Sequence, residues 1–167
     1  MGKVVLVDKN DRVLGLHDKL RCHSGKGMLH RAFSVFVFNS RGELLLQQRS
    51  KRKLLWPLYW SNTCCSHPQA GESYERAGQR RLQTEMGFTC PLKKVGIFQY
   101  KAEYKDRGSE NELCAVLVGK HDGEVSLNSE EVAIYKWRDF QELKEDIEEN
   151  PDNYTPWLKL EIEKFFL

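Results

Sequence analysis

Residues 62–87 read Asn62-Thr63-Cys64-Cys65-Ser66-His67-Pro68-Gln69-Ala70-Gly71-Glu72-Ser73-Tyr74-Glu75-Arg76-Ala77-Gly78-Gln79-Arg80-Arg81-Leu82-Gln83-Thr84-Glu85-Met86-Gly87. The two halves differ in character. Up to Gly71, two thiols and an imidazole crowd into turn-prone polar residues. From Ser73 onward, apolar residues recur at helical spacing. Ser73 can accept the free N–H groups of a first turn, and Gly87 can adopt the left-handed conformation that ends a helix. The pattern predicts a helix over 74–86 that buries Tyr74, Ala77, Gly78, Leu82 and Met86. Arg81 and Glu85, four apart, become surface neighbours on it. A loop this rich in reactive groups, leading straight into a helix, is where function is expected.

Working upstream, residues 33–38 are β-branched and aromatic, hence a strand. Asn39-Ser40-Arg41-Gly42 is a turn and 43–48 a return strand, giving a hairpin with the basic run 49–53 at its far end. The opening run 1–5 is strand-like and a strand is expected over 4–8, followed by a polar turn at 9–12. Residues 17–29, with two glycines and mixed polar residues, are expected to be loop. Downstream, strands are expected over 95–104, 112–118 and 133–137, and a helix over 139–148. Asn150-Pro151 breaks that helix, and Pro156 opens a last one over 157–166. Strands mixed with helices point to an α/β or α+β fold, layered α/β/α around a mixed central sheet, in a single domain over 1–167.

The net charge of +2 is too small to argue for a nucleic-acid or membrane partner by itself, and neither is expected. No run approaches the roughly 20 apolar residues of a membrane span, and the start lacks the apolar core of a signal peptide. Gly2 does not complete a myristoylation signal, because Leu6 stands where Ser or Thr is wanted. The five cysteines, an odd count with two adjacent, make a poor disulfide framework. Free thiols in a reducing cytoplasm are the expectation.

Four groups of residues carry candidate chemistry. His23, His30 and His67 lie on loops, while Glu110 and Glu112, two apart at the start of a strand, point to one face. Together they form a nitrogen–oxygen set suited to a first-row divalent ion rather than to a thiolate zinc site. On spacing alone, surface histidines and solvated strand-edge carboxylates are the weightier account. Of the adjacent thiols, Cys64 suits packing and Cys65, two residues from His67, is the one to choose as reactive; an inert buried thiol is the bland alternative. Lys19, Arg49, Lys53 and Arg81 flank the same loops and could meet phosphate oxygens. Tyr100, Trp56 and Trp157 default to core, and their faces gain a chemical use only beside a cation.

Taken in order, several motifs resemble the type 1 isopentenyl-diphosphate isomerase family: Leu29-His30-Arg31-Ala32-Phe33-Ser34, Asn62 through Pro68, Arg80-Arg81-Leu82 with Glu85 and Gly87, Glu110-Asn111-Glu112, and Thr155-Pro156-Trp157. The resemblance runs from about Lys3 to Trp157. It implies a Nudix-like α/β/α sandwich and a degraded Nudix box. Ser66 stands where the box opens with Gly, Glu72 on its first glutamate, Arg80 on its arginine and Glu85 on its last glutamate. Arg81 and Thr84 occupy positions where hydrolases keep metal-binding glutamates.

The same resemblance implies conversion of isopentenyl diphosphate to dimethylallyl diphosphate. It implies a divalent ion (Mn2+, Zn2+ or Mg2+) on His23, His30, His67, Glu110 and Glu112, and Mg2+ on the substrate diphosphate beside Glu85. Cys65, Glu112 and Tyr100 become the catalytic groups, and Lys19, Arg49, Lys53, Arg81 and Trp157 the substrate contacts. The partner is a small isoprenoid diphosphate, and the expected protein is a cytoplasmic monomer or weak dimer. A Nudix diphosphate hydrolase and a non-enzymatic metal-binding module remain as alternatives.

Overall fold

The structure, a computed structural model, describes residues 2–166; Met1, where the strand-like opening run begins, and Leu167 lie outside it. Its centre is strand β3 (His30–Phe38), buried along almost its whole length. Alternate residues point to opposite faces. Ala32 and Phe36 join one apolar cluster, and Phe33, Val35 and Val37 join another. A strand apolar on both faces needs cover on both, and helices supply it.

One edge of β3 carries β8 (Gly108–Lys120) in parallel, from His30 opposite Glu112 to Phe38 opposite Lys120. Strand β7 (Leu92–Tyr104) runs antiparallel to β8. The other edge of β3 is shared in turn by three strands. β1 (Lys3–Val7) meets it at His30, β6 (Cys64–Ser66) at residues 33–35, and β4 (Glu43–Arg49) at Phe38 alone. β4 then pairs with β5 (Trp60–Ser61) and β9 (Val132–Asp139). Helix α2 (Tyr74–Met86) covers one face, while α3 (Phe140–Glu149) and α4 (Pro156–Phe165) cover the other. This is the expected α/β/α sandwich with a mixed sheet. The Ser73 cap on the Arg76 N–H and the left-handed Gly87 (φ 74°) end α2 as its residue types predict.

Three expectations change. The hairpin of 33–38 with 43–48 closes at one register pair only, Phe38 with Leu44. The ladder then splits, and Thr63 fills the split: its hydroxyl accepts from Val37 N at 2.9 Å and donates to Leu45 O at 2.7 Å. The 54–71 connection therefore holds two short strands, one of them β6. Finally, 17–29 is not all loop. Strand β2 (Val13–Asp18) pairs with β1, and Asp18 caps the short helix α1 (Lys19–Cys22). β2 is an edge strand whose Val13, Leu14 and Leu16 stay exposed, so it lacks the alternation that announces a half-buried strand.

Candidate active site

A cleft of about 410 Å3 opens where α1, β3, β6, β8 and the start of α4 converge. Its walls include His23, His67, Glu110 and Glu112 on one side, Cys65 and Ser34 on another, Lys19, Arg49, Lys53 and Arg81, and Tyr100 with Trp157. The structure thus gathers residues that lie far apart in the chain around one space. Two of the named residues stay outside its lining: His30 is fully buried behind His67, and Glu85 sits behind Arg81.

Ligand atoms of His23, His30, His67, Glu110 and Glu112 lie within 4.8 Å of one another. Backbone oxygens set the rings. His23 Nδ1 meets Lys19 O and His30 Nδ1 meets Met28 O, each at 2.7 Å, so these Nδ1 atoms carry hydrogens and both Nε2 lone pairs face inward. His30 Nε2 and His67 Nε2 are only 3.2 Å apart, and both approach Glu112 Oε1, at 3.5 and 3.1 Å. Glu110 Oε2 lies 2.9 Å from His23 Nε2 but has no well-directed hydrogen bond. Inward lone pairs and an ill-satisfied carboxylate are what a divalent cation would satisfy, so this set fits the metal. Gly108 (φ 145°) lets the His23 loop dock on β8, since a Cβ there would stand 2.4 Å from His23 O.

Protons in this cluster follow burial and hydrogen bonding. Burial, then the Glu112 charge, pushes Glu110 up to about 7. Burial also lifts Glu112, but its close contacts with the His30 and His67 rings outweigh it and hold the carboxyl well below its usual range. Burial lowers His67 to about 3. Tyr100 OH donates to Glu112 Oε2 at 2.6 Å, and burial keeps that phenol well above its usual value.

Cys65 sits across β3 from Glu112, on β6. Its Sγ donates to Asn62 Oδ1 at 2.9 Å and lies 3.4 Å from Ser34 Oγ. Burial pushes the thiol up to about 12. Asn62 is a hub: its Nδ2 donates to Val35 O and Cys64 O, and its Oδ1 also accepts from Ser61 Oγ. Ser61 Oγ accepts from Trp157 Nε1 at 3.0 Å. One polar knot therefore sets both the thiol and the indole. Cys64 is wholly buried among the residues under α2, the packing position expected of it.

The cations are less free than their residue types suggest. Arg49 donates to Leu55 O and Trp56 O and lies over the Trp157 ring at 5.1 Å. Arg81 bonds Glu85 at 2.7 Å and lies 3.4 Å from Glu131, which Lys53 also engages. Burial, then the neighbouring Lys53, lowers Lys19. Glu85 also accepts from Gln47 at 3.1 Å. Arg80 grips Glu72 through two nitrogens and reaches His67 O at 3.3 Å, bracing the loop that presents His67. Sequence reasoning missed Glu131, Ser34, Asn62 and Ser61. Asn62 and Ser34 stood in stretches already singled out; Glu131 and Ser61 are ordinary polar residues whose importance is their position.

A NUDIX domain model matches residues 28–158. An isopentenyl-diphosphate Delta-isomerase 2 of Photorhabdus laumondii is 47% identical over 156 residues, spanning 93% of this chain and 88% of that one. An isopentenyl-diphosphate Delta-isomerase of Burkholderia multivorans is 43% identical over 162 residues, 97% and 92% of the two chains. The chain belongs to the isopentenyl-diphosphate isomerase family of NUDIX-domain proteins. Solved structures with the same fold include the DR0079 protein of Deinococcus radiodurans (TM-score 0.80, 18% identity, 99% of this chain and 100% of that one). A MutT protein of Methanosarcina mazei follows at TM-score 0.66 and 19% identity, over 82% and 92% of the two chains. Within this isomerase family member, the box carboxylates are largely replaced: Arg81 faces the cleft, and Thr84 turns its hydroxyl to Arg80 O.

Proposed function

We propose that this protein converts isopentenyl diphosphate to dimethylallyl diphosphate by adding a proton to the terminal alkene carbon and removing one from the allylic methylene. The observation that carries the mechanism is two groups able to exchange a proton, Glu112 (bonded by Tyr100) on β8 and Cys65 on β6, the strands flanking β3, around one cleft rimmed by cations. An alkene is a very weak base, so its proton donor must be strong and shielded from water. A divalent ion bound by the histidines and glutamates would make the Glu112 acid a better donor. Glu112, steered by Tyr100, gives its proton to the terminal carbon. The positive charge develops at the tertiary carbon, beside the π face of Trp157. Cys65, as thiolate, takes the allylic proton, and the double bond moves one place.

Burial raises the Cys65 thiol and hydrogen bonding lowers Glu112, shifts that favour the charge state the forward reaction leaves behind. The same state serves the reverse direction, with Cys65 donating and Glu112 accepting. Lys19, Arg49, Lys53 and Arg81 hold the diphosphate end, and Glu85, once released from Arg81, would help hold a Mg2+ that shares the diphosphate charge. Buried Tyr100 and Trp157 in the cleft wall keep water from trapping the cation as an alcohol. Five free cysteines suit a cytoplasmic enzyme, as does a substrate that is a charged small molecule.

The test is direct: incubate the protein with isopentenyl diphosphate and Mg2+ and look for the dimethylallyl isomer. Its appearance supports the reading. Phosphate or diphosphate release without isomer would instead establish a hydrolase, and neither product a metal-binding module.

A further inference from the structure

Glu161 is wholly buried on α4, one turn beyond Trp157. A buried carboxyl costs several kcal/mol unless something compensates it. Among the described residues no Lys, Arg or His forms an ion pair with it. Oε1 is 3.7 Å from Cys114 Sγ, and Oε2 is buried without a partner. Cys114 Sγ lies 3.4 Å from Ser34 Oγ, and Ser34 Oγ lies 3.4 Å from Cys65 Sγ. A continuous polar path therefore leads from this carboxyl to the reacting thiol through the core beneath the cleft.

We propose that Glu161 is a positioning residue for Cys65, acting through Ser34. This rests on the isomerase reading and adds a residue to it. The argument is one of hydrogen supply. Ser34 has one hydrogen and two lone pairs. Cys65 spends its own hydrogen on Asn62 Oδ1, so its sulfur needs a donor from the other side. Ser34 points its hydrogen there when its oxygen receives one from behind. Burial pushes Glu161 up to about 8, and Cys114 is the side chain it touches, with Ser34 next along the path. As a neutral acid Glu161 turns its hydrogen to Cys114 Sγ, Cys114 turns its own to Ser34 Oγ, and Ser34 then points its hydrogen toward Cys65. A leucine would pack in this helix equally well but would leave Ser34 free to turn its hydrogen elsewhere.

The test uses E161L, E161Q and S34A in D2O with isopentenyl diphosphate. Return of substrate deuterated at the terminal carbon reports the Glu112 wall, whereas dimethylallyl product needs Cys65 as well. In E161L the ratio of terminal exchange to product should rise about three- to tenfold, the worth of one hydrogen bond. KM should stay unchanged, and E161Q, which keeps an N–H donor, should stay close to wild type. S34A should copy E161L, and it carries the test if E161L does not fold. Parallel loss of exchange and product, or an unchanged ratio, overturns the proposal. If wild-type protein shows neither exchange nor isomer, the isomerase reading fails by itself. Glu161 is then judged by iodoacetamide labelling of Cys65 in folded protein. A rate differing about threefold or more between E161L and wild type, with E161Q near wild type, supports the positioning role. Equal rates in all three overturn it.

Discussion

The Glu112 wall and the Cys65 wall lie on either side of β3 and are built in opposite ways. Glu112 receives a hydrogen from Tyr100 and has His67 Nε2 at 3.1 Å and His30 Nε2 at 3.5 Å, while backbone carbonyls pin the His23 and His30 rings. Cys65 has one good partner, Asn62, and one long contact, Ser34. Both groups are buried, yet the carboxyl is held low and the thiol is driven to about 12. Burial alone raises both. The supply of donors decides which one keeps its charge.

If the two walls divide the proton transfers, each should be indispensable in its own way. Cys65→Ala and Glu112→Gln should each lower turnover by about 10²- to 10⁴-fold or more, the usual worth of a placed proton-transfer group. They should differ in exchange from D2O: Cys65→Ala keeps exchange at the terminal carbon, and Glu112→Gln loses it. Cys64→Ala should leave most activity, because that thiol packs under α2. Equal loss from Cys64→Ala and Cys65→Ala would erase the distinction between the neighbours.

Trp157 stands between the walls, and its indole hangs from the same Ser61–Asn62 knot that holds Cys65. Trp157→Leu removes the π face, worth about 2 kcal/mol when desolvated, or about 30-fold in turnover. Trp157→Phe should recover part of that loss. A leucine variant with normal turnover would show that the ring serves packing alone.

The contrast between the walls was only half legible in the sequence. Helix 74–86 and its stripe follow from spacing and caps, and the two central strands follow from β-branched and aromatic runs. The ligand types were visible too, since His and Glu announce themselves. What spacing could not show is convergence. His23, His67 and Glu112 meet only because β3 carries β8 in parallel on one edge and β6 on the other. The split of the β3–β4 hairpin was hidden because the wedge that opens it, Thr63, is an ordinary residue in a loop. Edge strand β2 was hidden because its exposed side carries apolar residues.

The Glu112 wall should also be the one that responds to metal. Glu110 rises from 4.5 to about 7 in the metal-free cluster, so near neutrality it still holds much of its proton. A cation must displace that proton, and affinity should climb up to about tenfold per pH unit below 7 and level off above it. Calorimetry in buffers of different ionisation enthalpy would count the protons released. The sign for stability is fixed by the same shift. Glu110 binds more protons folded than unfolded between pH 4.5 and about 7, so its own contribution to the stability of metal-free protein is lost as pH rises through that window, opposed below 6.5 by His67, whose value is lowered to about 3. Added metal should give its largest gain in Tm above it. Chelated protein should be folded but inactive, and a chelated form that unfolds would make the site structural.

The smallest effect belongs to the cationic rim, where neither wall acts directly. Glu131 neutralises Lys53 and Arg81 in the substrate-free cleft, and all three side chains are about a quarter exposed or less. Such partly solvated pairs are worth about 0–1 kcal/mol. Glu131→Gln should therefore free Lys53 for the diphosphate and loosen Arg81, which keeps its Glu85 bond, and lower KM by about fivefold at most, with turnover nearly unchanged. Raising salt should shrink the difference, since it screens the released charges. A large fall in turnover would tie Glu131 to the reacting carbons rather than to the diphosphate end. The division between chemistry on the two walls and anchoring at the rim would then fail.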